Sequence, residues 1–163
     1  SGLSIIIILS ICIKSIEDGT SHQVFPIFAI LGSMCAFYTY NKFPSRVFEG
    51  NIGSLFFGSA MGASIVILKL WWFGFFILIP HTVNFLLWII WLYLMKKNPS
   101  MHLDKKGKHT KFGKVRSDGT LKVPSRLTLK WIPNYYLRIN EKQSTLIMYS
   151  LTTLFCVTGL IIF

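Results

Sequence analysis

Five stretches of this chain are too apolar for too long to lie against water. They run Leu3 to Ile13, Val24 to Tyr40, Ile52 to Leu68, Trp72 to Met95 and Thr145 to Phe163. A helix that crosses the hydrocarbon of a bilayer needs about 20 mostly apolar residues, because lipid leaves no other partner for the backbone polar groups. The runs therefore predict an all-α polytopic membrane protein with about five transmembrane helices. With 52% hydrophobic and only 14% charged residues, the composition excludes an ordinary water-soluble domain. The first run is short and opens with neither Met nor a basic leader, so it is read as the truncated end of a helix and the chain as the C-terminal part of a longer protein.

Charge sets the orientation. Residues 41–51 and 96–144 fall on one side of such a bundle, and together they hold 15 of the 17 Lys and Arg residues. Positive loops are retained in the cytoplasm during insertion, so both segments are expected there. The domain reading is four helices over 1–95, a basic cytoplasmic loop over 96–144 and a last helix over 145–163. Lys14 and Lys69 would lie at helix ends on the other face, with Trp71 and Trp72 in the opposite aromatic belt.

Within the spans, Pro80 removes a backbone donor and should kink or break its helix. Ser54, Gly58 and Gly62 recur every fourth residue, a small-residue stripe that predicts packing against a neighbour. Cys12, Cys35 and Cys156 lack metal-ligand spacing and read as small apolar residues. His81 and Asn84 are polar inside a span, which points either to function or to satisfying backbone groups freed at Pro80. Few other ionisable residues lie mid-span, which disfavours a transporter path.

The basic loop must meet anions, either the anionic leaflet or a phosphorylated substrate. Asp118-Gly119, flanked by alternating residues at 114–116 and 120–123, predicts a short β-hairpin with a type I′ turn. Trp131, Tyr135 and Tyr136 around Pro133 read as an interfacial segment. None of the usual nucleic-acid modules is present, so no nucleic-acid partner is expected.

Three wordings go further. Pro44-Ser45-Arg46-Val47-Phe48-Glu49-Gly50-Asn51 runs into the small-residue helix, Pro80 and Asn84-Phe85 follow, and Lys108-His109-Thr110 stands nine residues ahead of Gly119 in Asp-Gly-Thr-Leu. In this order they resemble the polyprenyl-phosphate N-acetylhexosamine-1-phosphate transferases, closest to the archaeal and eukaryotic UDP-N-acetylglucosamine/dolichyl-phosphate branch. That family's first wording reads Pro-Ser-Arg-Val-Phe-x-Gly-Asp.

The resemblance implies transfer of N-acetylglucosamine 1-phosphate from UDP-N-acetylglucosamine to a polyprenyl (dolichyl) phosphate, with magnesium as cofactor and membrane lipid around it. It implies that Lys108 and His109 grip the diphosphate and sugar as catalytic residues. Phe48, Arg46, Thr110 and Asn84 would bind substrate, with Phe48 stacked on uracil. From the residues alone, Phe48 could equally be an interfacial anchor, Arg46 a snorkelling helix end, and Lys108 and His109 part of a solvated loop. His102 lies outside the wording.

Asn51 stands at the family's metal-binding Asp, and an amide oxygen ligates a hard cation without contributing charge. Asn51 and Thr110, both departures, leave open a catalytically degenerate homologue or a scaffold that binds anionic lipid or a partner. Oligomeric state is not fixed, a homodimer being among the options. The Ile, Lys, Asn and Phe bias inclines the reading towards an archaeal cell membrane rather than endoplasmic reticulum.

Overall fold

A computed structural model describes residues 1–23, 25–97 and 113–163. Among them the chain is mostly helical: α1 Gly2–Glu17, α2 Phe25–Asn41, α3 Gly50–Ile67, α4 Trp71–Ile77, α5 Ile79–Lys97, α6 Trp131–Tyr136 and α7 Glu141–Ile162. Two strands, β1 Lys114–Val115 and β2 Leu121–Lys122, form a small antiparallel sheet.

Three helices are long and apolar enough to cross a membrane: α3 with 18 residues, α5 with 19 and α7 with 22. At 1.5 Å per residue they measure about 27–33 Å, the thickness of the hydrocarbon layer. The chain is a membrane protein. α1 and α2, at 16 and 17 residues, are shorter, so three of the five expected crossings meet both requirements. The run from Trp72 to Met95 divides at Leu78 into α4 and α5, and Pro80 is the second residue of α5. Its missing N–H is harmless there and would not be in mid-helix.

The chain forms two compact units. One comprises Ser1–Leu78 with Tyr149–Phe163. Its core is built around α1, whose Ile7, Ile8, Ile11 and Cys12 are buried, together with Ile27 and Met34 of α2, Phe57, Met61 and Ile65 of α3, Phe73 and Ile77 of α4, and Cys156 of α7. The α1 positions repeat at three- and four-residue intervals, as one face of a helix must. Beyond the end of α1, Gly19 adopts φ +72° while Thr20 N–H donates to the Ser15 carbonyl at 2.9 Å and Gly19 N–H to that of Ile16 at 3.1 Å. This is the Schellman closure that glycine favours.

α3 turns a different face inward from the one its glycines suggested. Phe57, Met61, Ser64 and Ile65 are its buried residues, whereas a Cβ placed on Gly58 or Gly62 would meet no described atom within 4 Å. The small-residue stripe is therefore unpartnered among the described residues. Larger side chains next to it bury more apolar surface, which is what sets the packed face. The close approach expected of glycine occurs instead at Gly74 of α4, where a Cβ would lie 2.5 Å from Ile65 Cγ2.

The second unit is Ile79–Met148. The hairpin pairs Lys114 with Lys122 and Val115 with Leu121. Its turn corrects the type I′ expectation: Gly119 has φ +77°, but Asp118 is not among the residues of positive φ. Gly119 N–H donates to the Arg116 carbonyl at 3.0 Å and Arg116 N–H to the Thr120 carbonyl at 2.8 Å, a three-residue loop ending in a glycine bulge. Asp118 keeps negative φ because its carboxylate accepts from the Thr120 N–H at 2.9 Å and hydroxyl at 2.6 Å.

The unit is tied together through backbone. Leu121 N–H donates to the Ile139 carbonyl at 3.1 Å, and Ser144 Oγ donates to that of Lys130 at 3.1 Å. Asn140 and Gln143 exchange side-chain and backbone hydrogen bonds at 2.9 and 3.0 Å, a reciprocal cap at the start of α7.

Candidate functional site

The connection between α2 and α3 is folded back on the end of α2. The Tyr40 carbonyl accepts from the N–H groups of Arg46 and Val47, at 2.9 and 3.3 Å. The Val47 carbonyl accepts from Asn41 Nδ2 at 2.8 Å and Ser45 Oγ at 3.0 Å. Asn41 Oδ1 in turn accepts from Ser1 Oγ at 2.7 Å. With the backbone held inward, the side chains of the turn face out: Arg46 is exposed and Phe48 is 80% exposed. Gly50, with φ +61°, then aims the chain into α3, a backbone state that costs glycine little.

Asn51 follows in the first turn of α3 and is exposed. Arg46, Phe48 and Asn51 thus lie within six residues, on the α2–α3 connection and the first turn of α3, and all three are exposed. Lys108, His109 and Thr110 lie outside the described residues. Asn84 belongs to the second unit, where its Oδ1 accepts from the Leu129 N–H at 2.9 Å. That oxygen holds the loop before α6. His81, three residues earlier on α5, has its Nδ1 buried with no hydrogen-bond partner among the described residues.

Sequence reasoning passed over Glu49. Its Oε2 accepts from the Ser1 nitrogen at 3.2 Å, while Oε1 is buried with no hydrogen-bond partner among the described residues. The available signal was a carboxylate two residues before Asn51 in a short loop whose other charges, Lys42 and Arg46, are positive.

Among the described residues no three His, Cys, Asp or Glu side chains come together. A complete protein cage for magnesium is thus absent from them. Magnesium is commonly bound by one or two carboxylates with waters and substrate phosphates; Asn51, exposed in the first turn of α3, would contribute a neutral amide oxygen.

Comparison with known proteins adds the decisive observation. Residues 1–69 match the model of glycosyl transferase family 4. The matched segment contains the whole α2–α3 turn. A Saccharolobus solfataricus protein provisionally named UDP-N-acetylglucosamine--dolichyl-phosphate N-acetylglucosaminephosphotransferase is 29% identical over 133 residues, which cover 80% of this chain and 36% of that protein. A Sulfolobus acidocaldarius protein of the same provisional name is 24% identical over 99% of this chain and 46% of its own length. A phospho-N-acetylmuramoyl-pentapeptide-transferase of Clostridium kluyveri is 36% identical over 69 residues, 41% of this chain and 22% of that enzyme. The resemblance to the polyprenyl-phosphate sugar-phosphate transferases is shown by these matches. The chain spans less than half the length of each of these relatives, and no solved structure matches it.

Proposed function

We propose that the protein transfers N-acetylglucosamine 1-phosphate from UDP-N-acetylglucosamine to a polyprenyl phosphate, dolichyl phosphate by preference, at the cytoplasmic face of an archaeal cell membrane. The product would begin a lipid-linked glycan for N-glycosylation. The observation that carries this reading is the family match over residues 1–69, which contains an ordered turn presenting Arg46 and Phe48 to solvent. The relatives' names supply the sugar and the lipid.

In such a transfer an oxygen of the lipid phosphate attacks the sugar-linked phosphorus of UDP-N-acetylglucosamine. The anhydride bond to the uridylyl phosphate breaks, and UMP leaves. Phosphoryl transfer depends on in-line placement and on neutralising spread negative charge rather than on covalent help from the protein. Arg46 can contribute cationic donors at the turn, and Lys108 and His109 are the proposed donors of the basic loop. Phe48 offers an uncovered ring on which uracil can stack. A base stacked on an aromatic ring is worth about 1–3 kcal/mol. Magnesium, when bound, would neutralise the diphosphate.

The neutral Asn51 favours a second reading, a degenerate homologue whose basic loop binds anionic lipid or a partner. The two are separated by supplying UDP-N-acetylglucosamine labelled at its sugar-linked phosphorus, with dolichyl phosphate, to membranes containing the full-length protein. Label entering the lipid phase together with the sugar supports transfer of a sugar phosphate. Sugar entering without the phosphorus label, or neither entering, contradicts it.

A further inference from the structure

We propose that the end of α6 is a docking surface for anionic membrane lipid, with Arg126 meeting a headgroup phosphate and Tyr135, Tyr136 and Leu137 lying against the boundary of the acyl chains. The inference needs only that α7 enters a bilayer, and it stands whether or not the protein transfers a sugar phosphate.

The fold pins α6 to the mouth of a span. Residues 137–140 alone separate it from α7, a link that reaches at most about 14 Å. The attachment is closer than that limit, because Ser144 Oγ in the first turn of α7 donates at 3.1 Å to the carbonyl of Lys130, the residue that precedes α6. The Lys130 ammonium also lies 3.9 Å from Glu141 Oε1. Past the other end of α6, the Ile139 carbonyl is held by the Leu121 N–H at 3.1 Å. A six-residue helix fixed in this way sits at the depth where α7 meets the headgroups.

Its two ends face differently. Trp131, Ile132 and Pro133 are half-buried and Asn134 is buried, so the first four residues turn towards the rest of their unit. Tyr135, Tyr136 and Leu137 turn away from it, at 54%, 64% and 58% exposed. The two tyrosine rings stand edge to face with centroids 5.2 Å apart, forming one apolar surface with polar tips. A ring with a wet end and an oily end suits the interface between headgroups and hydrocarbon, where tyrosine is enriched.

The charge beside this surface is positive. Arg126 Nη1 donates to the Tyr136 hydroxyl at 3.2 Å, which holds a guanidinium at the polar tip of that ring. Arg126 is exposed and has no ion-pair partner among the described residues, so its remaining donors can take a phosphate through two N–H groups at once. Arg138, next to Leu137, is exposed as well. Over residues 113–148 seven Lys and Arg stand against two carboxylates, and both carboxylates are engaged, Asp118 by Thr120 and Glu141 by Lys130. That excess complements an anionic leaflet. The uncovered rings beside it favour a lipid over a soluble anion, which would leave them in water.

The test is hydrogen exchange, read by mass spectrometry, on the full-length protein in nanodiscs of phosphatidylglycerol and in nanodiscs of phosphatidylcholine. The amides of residues 134–138 are expected to exchange about fivefold more slowly in phosphatidylglycerol, the factor that corresponds to one basic side chain at an anionic surface. Arg126→Gln should lose most of this difference between lipids, and Arg126→Lys should keep part of it, since it retains the charge without the two-pronged geometry. Tyr135→Ser combined with Tyr136→Ser should speed exchange in both lipids. Circular dichroism checks that each variant keeps its helices, and the wild-type comparison between lipids decides by itself if none does. Equal exchange in the two lipids, or a lipid difference unchanged in Arg126→Gln, overturns the inference. Slowing by UDP in phosphatidylcholine nanodiscs, with none by phosphatidylglycerol, also overturns it by assigning the surface to a soluble phosphate.

Discussion

The backbone N–H of Leu70 donates to the carbonyl of Ile65 at 3.0 Å, and with Lys69 N–H donating to the Val66 carbonyl at 3.1 Å it closes the end of α3. Both side chains of the first pair are buried, the apolar contact that usually accompanies this closure. The residue before Leu70 is not glycine: Lys69 takes φ +56°. A left-handed conformation costs a residue with a Cβ about 1–2 kcal/mol, part of which glycine gives back through its greater freedom when unfolded. Lys69→Gly is therefore expected to stabilise the fold by about 0.5–1 kcal/mol, read as a raised midpoint in thermal unfolding in detergent.

Gly74 and Ile65 make the tightest approach between α3 and α4. A Cβ at position 74 would fall 2.5 to 2.9 Å from three side-chain carbons of Ile65, which is itself buried. Gly74→Ala should destabilise by about 1–3 kcal/mol, the usual cost of overpacking. Adding Ile65→Ala should restore part of that loss. Equal destabilisation by the single and double variants would show that the contact is not responsible.

Asn84 ties the loop before α6 to α5 through the Leu129 N–H. Asn84→Ala should cost about 1 kcal/mol and speed hydrogen exchange at the Leu129 amide, measured by mass spectrometry. Exchange unchanged at Leu129 would remove this tether from the account.

The hairpin turn should depend on acid only well below neutrality. The Thr120 hydroxyl and then its N–H, with the nearby Arg116 and Arg138, hold the Asp118 carboxyl below its ordinary value of 3.8. A group whose folded value is depressed contributes fully above its unfolded value and loses that contribution as pH falls through the folded one. The Thr120 amide should thus stay protected from pH 7 down to about 4 and exchange faster below that, with Asp118→Asn abolishing the pH step.

Local chemistry made part of this fold legible. Pro80 placed the break between α4 and α5, Asp118-Gly119 located the hairpin, and uninterrupted apolar length located α3, α5 and α7. What sequence could not supply was the choice among faces. Gly58 and Gly62 allow a close approach but do not compel one, and the bulk of Phe57 and Met61 decides which side of α3 is buried. The turn type escaped prediction because the Thr120 hydroxyl offers Asp118 a partner that keeps its φ negative. At the candidate site, the choice of Arg46, Phe48 and Asn51 rests on their wording, and the structure adds that all three are exposed. The unpaired oxygen of Glu49 is visible only in the packing.

The most direct test of the central claim is magnesium-dependent release of UMP from UDP-N-acetylglucosamine and dolichyl phosphate, by the full-length protein in membranes lacking other such transferases. Wild type should release UMP only when both substrates are present, and His109→Ala should lose most of that activity. A folded wild-type protein that releases no UMP with this or other UDP-sugars and lipid phosphates would contradict the account, marking Asn51 as the trace of a lost activity.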